Sequence, residues 1–178
     1  MKIFAETDRI LLREIVMDDA VAIFEMDADP EVHRYLGNSP IESMDEAVAY
    51  ILFVRKQYEE LGIGRWAIVD RENGEFVGWG GMKFRTDKVN GYQNYYDVGY
   101  RLLRKHWGKG YATESARASI DYGFSRMEMP SIYAMAHVEN LASIHALQKS
   151  GLKITGQVVE NDILCHWFEI NKADWLKR

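Results

Sequence analysis

The clearest indication of chemistry in this chain comes from a short glycine-containing segment, residues 107–113. The segment follows a run that alternates like a strand and precedes a run with helical spacing. Gly108 and Gly110 allow its backbone to turn and to approach a ligand closely. The first turn of a helix presents free N–H groups and the positive end of the helix dipole, which bind phosphate oxygens, and Lys109 adds a positive charge. The segment therefore predicts a phosphate-binding loop, with a plain strand-to-helix connection as the alternative.

Two common nucleotide-binding motifs are excluded by the spacing of the glycines. The chain lacks the Gly-x-x-x-x-Gly-Lys-Ser/Thr pattern of a P-loop. It also lacks the dinucleotide fingerprint Gly-x-Gly-x-x-Gly, because Thr113 stands at the last position of that pattern. The spacing of the histidines does not suggest metal binding, and we expect no metal.

The composition fits one folded domain, and we expect residues 1–178 to form it. Hydrophobic residues make up 47% of the chain and charged residues 28%, which excludes an intrinsically disordered protein. The net charge of −5 argues against non-specific binding of nucleic acid, which needs a basic surface. No apolar run reaches the roughly 20 residues that cross a bilayer, and the first residues do not resemble a secretory signal. Because Cys165 is the single cysteine, we expect a reducing, cytoplasmic setting.

The elements that would position the loop follow from periodicity. Ser43 and Glu46 form a capping-box pattern before the clearest amphipathic run of the chain. Asn73-Gly74 between two apolar runs indicates a β-hairpin. We predict strands at 10–15, 66–69, 76–84, 96–103, 132–138, 153–159 and 164–170, and helices after 18–19 and over 43–61, 112–124 and 140–149.

This order of elements, β-α-α-β-β-β-α-β-α-β-β, predicts an α/β fold of the α+β kind. A single mixed sheet would carry helices on both faces. Asp29-Pro30 is expected to stop the first helix, and a loop rich in turn residues should follow near Pro40. The glycine segment would then join the last strand of a block to a helix.

Residues 107–112, Trp-Gly-Lys-Gly-Tyr-Ala, resemble the acetyl-CoA loop of the GNAT superfamily of N-acetyltransferases. A second motif is similar as well: Asn140 and Ser143, followed by Lys149 and Gly151, match the pattern N-x-x-S … K-x-G. The tryptophan at the start of the loop resembles the branch that contains the ribosomal-protein N-terminal acetyltransferases. The resemblance covers nearly the whole chain and implies a single GNAT-like domain whose central strands are splayed.

The resemblance implies transfer of an acetyl group from acetyl-CoA to a primary amine, by direct attack in a ternary complex. The branch favours a protein N-terminal α-amine as the acceptor. Two alternatives are a small-molecule acceptor, such as a polyamine, an amino sugar or a drug, and a non-catalytic coenzyme A-binding module. The expected partners are acetyl-CoA and an amine acceptor, without nucleic acid or membrane, and the protein would be a monomer or a homodimer.

The same resemblance implies which residues hold acetyl-CoA, the expected cosubstrate. The backbone of the loop would hold the pyrophosphate, and Leu102 and Leu103 would pair with the pantetheine arm like an added strand. Asn140 would bond the arm from the other side, with a helix N-cap as the alternative role for this residue. The loop residues are Trp107, Gly108, Lys109, Gly110, Tyr111, Ala112 and Thr113.

Two residues are candidates for the base that deprotonates the amine. Asp97 lies on the strand where many family members carry a glutamate, and its alternative role is that of a polar residue on the solvent face. His137 lies close to the point where the central strands should separate, and an unperturbed histidine titrates near pH 6.5. Its alternative role is that of a strand-end histidine without catalytic function.

The leaving thiolate also needs a proton. Many family members supply it from a tyrosine on the helix after Asn140, but Leu147 occupies the matching position here. Ser143 is the nearest hydroxyl and is implied for this role, with a local helix-start hydrogen bond as the alternative. Tyr35 lies on the loop where this fold admits substrate, and we expect it to contact the acceptor.

Overall fold

The computed structural model describes residues 1–177. These residues form eight strands and six α-helices, with short 3-10 turns at Met17–Asp19 and Arg104–His106. The strands are β1 Ile3–Glu6, β2 Ile10–Arg13, β3 Arg65–Asp70, β4 Phe76–Arg85, β5 Tyr95–Leu102, β6 Ser131–His137, β7 Lys153–Glu160 and β8 Ile163–Asn171. The helices are α1 Ala20–Asp27, α2 Pro30–His33, α3 Met44–Leu61, α4 Tyr111–Arg126, α5 Leu141–Lys149 and α6 Lys172–Trp175.

All strands belong to one mixed sheet in the order β1-β2-β3-β4-β5-β6-β8-β7. On one face, Ile51 and Val54 of α3 join α1 residues in a buried cluster against β3 and β4. On the other face, Ile120 and Phe124 of α4 pack with residues of β4 to β6 in a second cluster. The helices therefore cover both faces of the sheet, which confirms the predicted α/β architecture.

The junction between β5 and β6 is the irregular point of the sheet. β4 and β5 pair antiparallel along eight residue positions, from Gly78↔Leu102 to Arg85↔Tyr95. β5 and β6 are parallel, and within residues 1–177 they pair only at Asp97↔Tyr133. Their ladder does not continue along the rest of either strand, which confirms that the central strands are splayed and leaves a gap beyond Asp97.

Local sequence signals fixed several element boundaries. Ser43 is the N-cap of α3, and the Glu46 carboxylate accepts a hydrogen bond from the backbone N–H of Ser43 at 3.0 Å, as a capping box requires. α3 is followed by Gly62 in the left-handed conformation. The turn around Gly74, whose φ is +73°, joins β3 to β4 as the predicted hairpin. Each of these features depends only on neighbours in the chain.

Three elements were missing from the predicted order, which is therefore incomplete. β1 has only four residues and forms by pairing with β2. Asp29-Pro30 does follow the end of α1, but Pro30 also occupies the first turn of α2, and the Asp29 side chain caps it. α6 follows β8 directly. The first predicted strand also ends at Arg13 rather than at residue 15.

No helix within residues 1–177 combines the length and the apolar character that a bilayer span requires.

Candidate active site

The glycine segment connects the end of β5 to the start of α4, as predicted. Gly108 and Gly110 have φ values of +74° and +85°, in the left-handed region that favours glycine. Gly110 is the N-cap of α4 and offers no side chain to cap the helix. The N–H groups of the first turn therefore face the exposed loop without a capping oxygen, as an anion-binding helix N-terminus requires.

Residues distant in sequence brace this loop. Arg9 donates a hydrogen bond to the Lys109 carbonyl at 3.0 Å and, through Nε, to the Glu114 carboxylate at 2.7 Å. The Tyr111 hydroxyl donates to Asp70, and this bond lowers the pKa of Asp70 and raises that of Tyr111. The loop is thus held from the β1–β2 turn and from β3. Sequence reasoning missed Arg9, which lies 105 positions from Glu114.

The backbone after β5 is only partly free to accept an added strand. The Leu103 N–H donates to Val77 of β4 at 3.0 Å, and its carbonyl accepts from His106 at 2.9 Å. Both backbone groups of Leu103 therefore already have partners within the fold, and Leu103 is less suited than Leu102 to pair with an extended ligand. Because successive residues of a strand direct their backbone groups to opposite edges, Leu102 faces the gap, where its carbonyl accepts from the Trp107 indole at 3.0 Å. The Leu102 N–H is the group directed to the open edge.

Across the gap, α5 begins with two of the predicted residues. The Asn140 side chain accepts a hydrogen bond from the Ser143 N–H at 3.1 Å and is the N-cap of α5. Its amide nitrogen forms no hydrogen bond within residues 1–177 and can still donate to a ligand. The helix-cap alternative is therefore correct, and a binding role is compatible with it.

Ser143 has a partner that sequence reasoning did not identify. The Tyr100 hydroxyl lies 3.0 Å from the Ser143 carbonyl and 3.1 Å from Ser143 Oγ. Burial raises the pKa of Tyr100 to about 12, so the phenol is protonated at neutral pH and can donate. Tyr100 and Ser143 lie 43 positions apart, so no local pattern indicated this contact. The fold brings two hydroxyls together beside Asn140.

Asp97 lies at the point where β5 and β6 part, and it is 8% exposed. The solvent-face alternative for Asp97 is therefore wrong. Its Oδ1 accepts from Arg65 at 3.0 Å, and Arg65 also donates to the Gly81 carbonyl at 2.6 Å. A Cβ on Gly99 would lie 2.9 Å from the Arg65 guanidinium, so the glycine makes room for the buried pair. Arg65 lies 32 positions from Asp97, and no local pattern indicated the pairing.

His137 and Tyr35 come together at the end of β6, where their ring centroids lie 5.2 Å apart. His137 Nδ1 accepts a hydrogen bond from the Glu139 N–H at 3.0 Å. In the neutral ring the other nitrogen then carries the proton, so the basic lone pair of His137 is already engaged. This geometry favours Asp97 over His137 as the base.

Within residues 1–177, no three side chains of the His, Cys, Asp or Glu type come together as a metal site requires.

Comparisons with known proteins agree with this geometry. The family model of the acetyltransferase (GNAT) domain matches residues 9–153. The chain is 34% identical over 151 residues to the uncharacterized N-acetyltransferase YoaA of Bacillus subtilis (strain 168), covering 85% of this chain and 83% of the relative. It is 26% identical over 163 residues to spermidine N(1)-acetyltransferase of Escherichia coli (strain K12), covering 91% and 79% of the two chains. The crystal structure of spermidine N-acetyltransferase from Vibrio cholerae, in complex with CoA and spermine, superposes with a TM-score of 0.75 at 19% identity, covering 96% and 99%.

Proposed function

Because the chain belongs to the GNAT acetyltransferase family, we propose that it moves the acetyl group of acetyl-coenzyme A to the primary amine of a small molecule. The protein is an acetyltransferase, and the proposal concerns its acceptor and the roles of its residues. The observation that carries the proposal is the braced, uncapped N-terminus of α4 beside the gap between β5 and β6. An acetyl donor such as acetyl-CoA fits both features: its phosphates suit the helix N-terminus, and its extended amide arm suits the open edge of β5.

The comparisons support the superfamily without supporting the branch that acetylates ribosomal proteins. The loop tryptophan had suggested a protein N-terminus as the acceptor, and neither YoaA nor the spermidine acetyltransferases support that finer assignment. The Escherichia coli relative is named for spermidine, a small amine. We therefore propose a small-molecule amine as the acceptor.

We assign the binding of acetyl-CoA mainly to backbone N–H groups and to the side-chain amide of Asn140. The free N–H groups at the start of α4, with Lys109 beside them, would hold the pyrophosphate of the cosubstrate. The Leu102 N–H, directed into the gap, would donate to the thioester carbonyl as oxygen charge develops there. The Asn140 amide would donate to the arm from the opposite side. Acetyl-CoA supplies the activated acyl group, and these residues orient it.

Two proton movements complete the reaction. Asp97 would take a proton from the ammonium of the acceptor, directly or through a water, because its second carboxylate oxygen forms no hydrogen bond within residues 1–177. The nitrogen then forms a bond to the acetyl carbon while the carbon–sulfur bond breaks. Ser143, supported by the Tyr100 hydroxyl, would give its proton to the thiolate and would be reprotonated by the second proton that the nitrogen loses as it becomes an amide. We also propose a cytoplasmic location, which the single cysteine supports.

A calorimetric titration with acetyl-CoA, followed by transfer assays on a panel of amines, tests the proposal. We expect a micromolar dissociation constant, about −8 kcal/mol of binding free energy, and release of coenzyme A when a suitable amine is present. Free coenzyme A should bind in the same range, because the phosphates and the arm make most of the contacts. Absence of binding up to millimolar acetyl-CoA would overturn the proposal, and binding without transfer to any amine would contradict the catalytic roles.

A further inference from the structure

A group of largely buried polar side chains lies on the α1–α3 side of the sheet. We call it the Trp79 cluster, and its members are Asp27, His33, Tyr50, Arg65, Trp79 and Arg101. The guanidinium carbons of Arg65 and Arg101 lie 5.4 and 5.1 Å from the Trp79 ring centroid, and the Tyr50 ring lies 6.2 Å from it. Arg101 donates to Asp27 at 2.8 Å, and His33 Nε2 lies 3.7 Å from the same carboxylate oxygen. These contacts connect all six side chains.

Four members of the cluster have buried polar atoms without a hydrogen-bond partner within residues 1–177. These atoms are Trp79 Nε1, Arg101 Nε, the Tyr50 hydroxyl and His33 Nε2. The Asp27 oxygen is too far from His33 to count as a partner. Buried polar groups are almost always satisfied, so four orphans in one place require an explanation. Trp79 Nε1 and Arg101 Nε can only donate, so the partners that these two atoms lack are acceptors, and the Tyr50 hydroxyl can donate as well.

The charges within the cluster are already balanced. Asp27 is paired with Arg101, and Asp97 is paired with Arg65. Burial, together with the neighbouring Arg101, lowers the pKa of His33, so its ring is neutral at pH 7. No carboxylate of the cluster remains unpaired. The cluster and Asp97 together therefore present no net negative charge that would attract the several protonated nitrogens of a polyamine.

The cluster lies next to Asp97, the proposed base, because Arg65 belongs to the cluster and bonds the Asp97 carboxylate. Asp97 and Arg101 project from the same face of β5, because residues at even separations in a strand share a face. Tyr100 and Leu102 project from the opposite face, which α4 and α5 cover with the larger apolar core. Arg65 connects the cluster to Asp97. The rim of the cluster is reachable, since the Arg101 side chain is 21% exposed.

We propose that the Trp79 cluster binds the acceptor and selects a primary amine that carries hydroxyl or carbonyl oxygens near the amino group, in preference to a polyamine. The oxygens accept the hydrogen bonds that Trp79 Nε1, Arg101 Nε and the Tyr50 hydroxyl lack. The inference rests on the proposed function and adds the chemical class of the acceptor to it. An amino sugar and a peptide-like amide share this chemistry.

A panel of amines measures the selectivity. The kcat/KM at saturating acetyl-CoA is compared for glucosamine, glycinamide, n-butylamine and spermidine. We expect at least one oxygen-bearing amine to exceed both n-butylamine and spermidine by about tenfold or more, the value of a well-placed hydrogen bond. Glucosamine and glycinamide distinguish hydroxyl from carbonyl recognition. A spermidine kcat/KM equal to or above that of both oxygen-bearing amines overturns the inference.

Two variants test the cluster directly. Tyr50→Phe removes only the hydroxyl, and Trp79→Phe removes the indole donor. Each should lower kcat/KM for the preferred oxygen-bearing amine by about tenfold more than it lowers kcat/KM for n-butylamine, which has no oxygen to bind. The control is Trp175→Phe on α6, whose indole donates to Asp121 on the α4 side, away from the cluster. It should leave all four substrates unchanged.

Thermal melts and acetyl-CoA affinity establish that each variant is folded. If Tyr50→Phe and Trp79→Phe, once folded, reduce activity equally for all four amines, the cluster is structural and the inference fails. If no amine is acetylated, the same panel is titrated calorimetrically with coenzyme A present, and a preference for spermidine again overturns the inference. Failure of the proposed function is separate, because it shows as absence of acetyl-CoA binding in the wild type.

Discussion

The glycine loop and the Trp79 cluster would recognise their proposed ligands in opposite ways. The loop is seven consecutive residues, 107–113, that offer backbone N–H groups at a helix end. The cluster is six side chains from six different elements, α1, α2, α3, β3, β4 and β5. Backbone donors suit a group that never varies, such as a pyrophosphate. Side chains can change one by one, and they suit an acceptor that differs among members of one family.

The sharpest test of this contrast is Gly110→Val. A β-branched residue cannot adopt the φ of +85° without strain, and its Cβ would lie 3.3 Å from the Arg9 guanidinium. Displacing the start of α4 would remove two or three charge-assisted hydrogen bonds of about 1.5–3 kcal/mol each. We expect acetyl-CoA to bind about a thousandfold more weakly by calorimetry, with the fold retained.

The control is Gly91→Val. Gly91 has a φ of +83°, and a Cβ added there would meet no atom within 4 Å, so the variant carries the same backbone strain away from the loop. It should destabilise the fold to a similar extent and leave acetyl-CoA affinity unchanged. Unchanged affinity in a folded Gly110→Val would remove the loop from the cofactor site.

Asp97 connects the two regions, and its variants separate stability from catalysis. Asp97→Ala leaves Arg65 buried without its partner, and we expect a loss of about 3 kcal/mol or more in unfolding free energy. Asp97→Asn can still accept from Arg65 and should fold better, but it cannot take a proton. Its rate should fall by at least tenfold at pH 7 and by less near pH 10, where roughly half of the amine is deprotonated without a base.

Chemical denaturation and pH–rate profiles of both variants provide the measurement. Should Asp97→Asn lose the same factor at every pH, Asp97 positions Arg65 and is not the base. Should it keep the wild-type rate, His137 or a water relay takes the proton.

Tyr100→Phe tests whether the hydroxyls of Tyr100 and Ser143 act on the leaving thiolate of the cofactor. Without the phenol, Ser143 Oγ loses its partner at 3.1 Å. We expect kcat to fall by about tenfold while the affinity for acetyl-CoA changes little, because the hydroxyl would act on the leaving thiolate. Ser143→Ala should have a similar effect, and the double variant should be no worse than either single one. Additive losses would show that the two hydroxyls act separately.

The Trp79 cluster and the surroundings of the glycine loop each contain one buried histidine. For these two residues we expect the smallest effect, a change in how stability depends on pH. His33 lies in the Trp79 cluster, and His106 lies beside the loop, with its ring 5.8 Å from that of Tyr111. Burial lowers the pKa of both below the ordinary value near 6.5. In the window below about pH 6.5 the unfolded chain therefore binds more protons, and stability falls as the pH falls. The slope is at most about 1.4 kcal/mol per pH unit for each histidine.

His33→Gln and His106→Gln should each flatten the decline in melting temperature between pH 7 and pH 5. His33→Gln should affect acceptor kinetics, and His106→Gln should affect acetyl-CoA affinity. An unaltered pH slope in both variants would mean that folding does not lower the pKa of either histidine, contrary to the expected effect of burial.

The sequence by itself determined the features that depend on neighbouring residues. The left-handed glycines of the loop, the capping box of α3, the hairpin at Gly74 and the Asn140 N-cap all follow from a few adjacent residues. The short elements β1 and α2 were not predicted, because four residues show too little periodicity to identify a strand or a helix. β1 forms only against β2, and a proline after an aspartate is equally suited to end one helix or to begin another.

Only the tertiary structure decided which side chains meet. Arg65 and Asp97 are 32 positions apart, Tyr100 and Ser143 are 43, and Arg101 and Asp27 are 74. No local pattern reports such pairs, because they form when the sheet fixes the distance between strands and burial requires each polar group to find a partner. The loop that would hold the cofactor was therefore visible in the chain, and the cluster that would choose the acceptor became visible only in the fold.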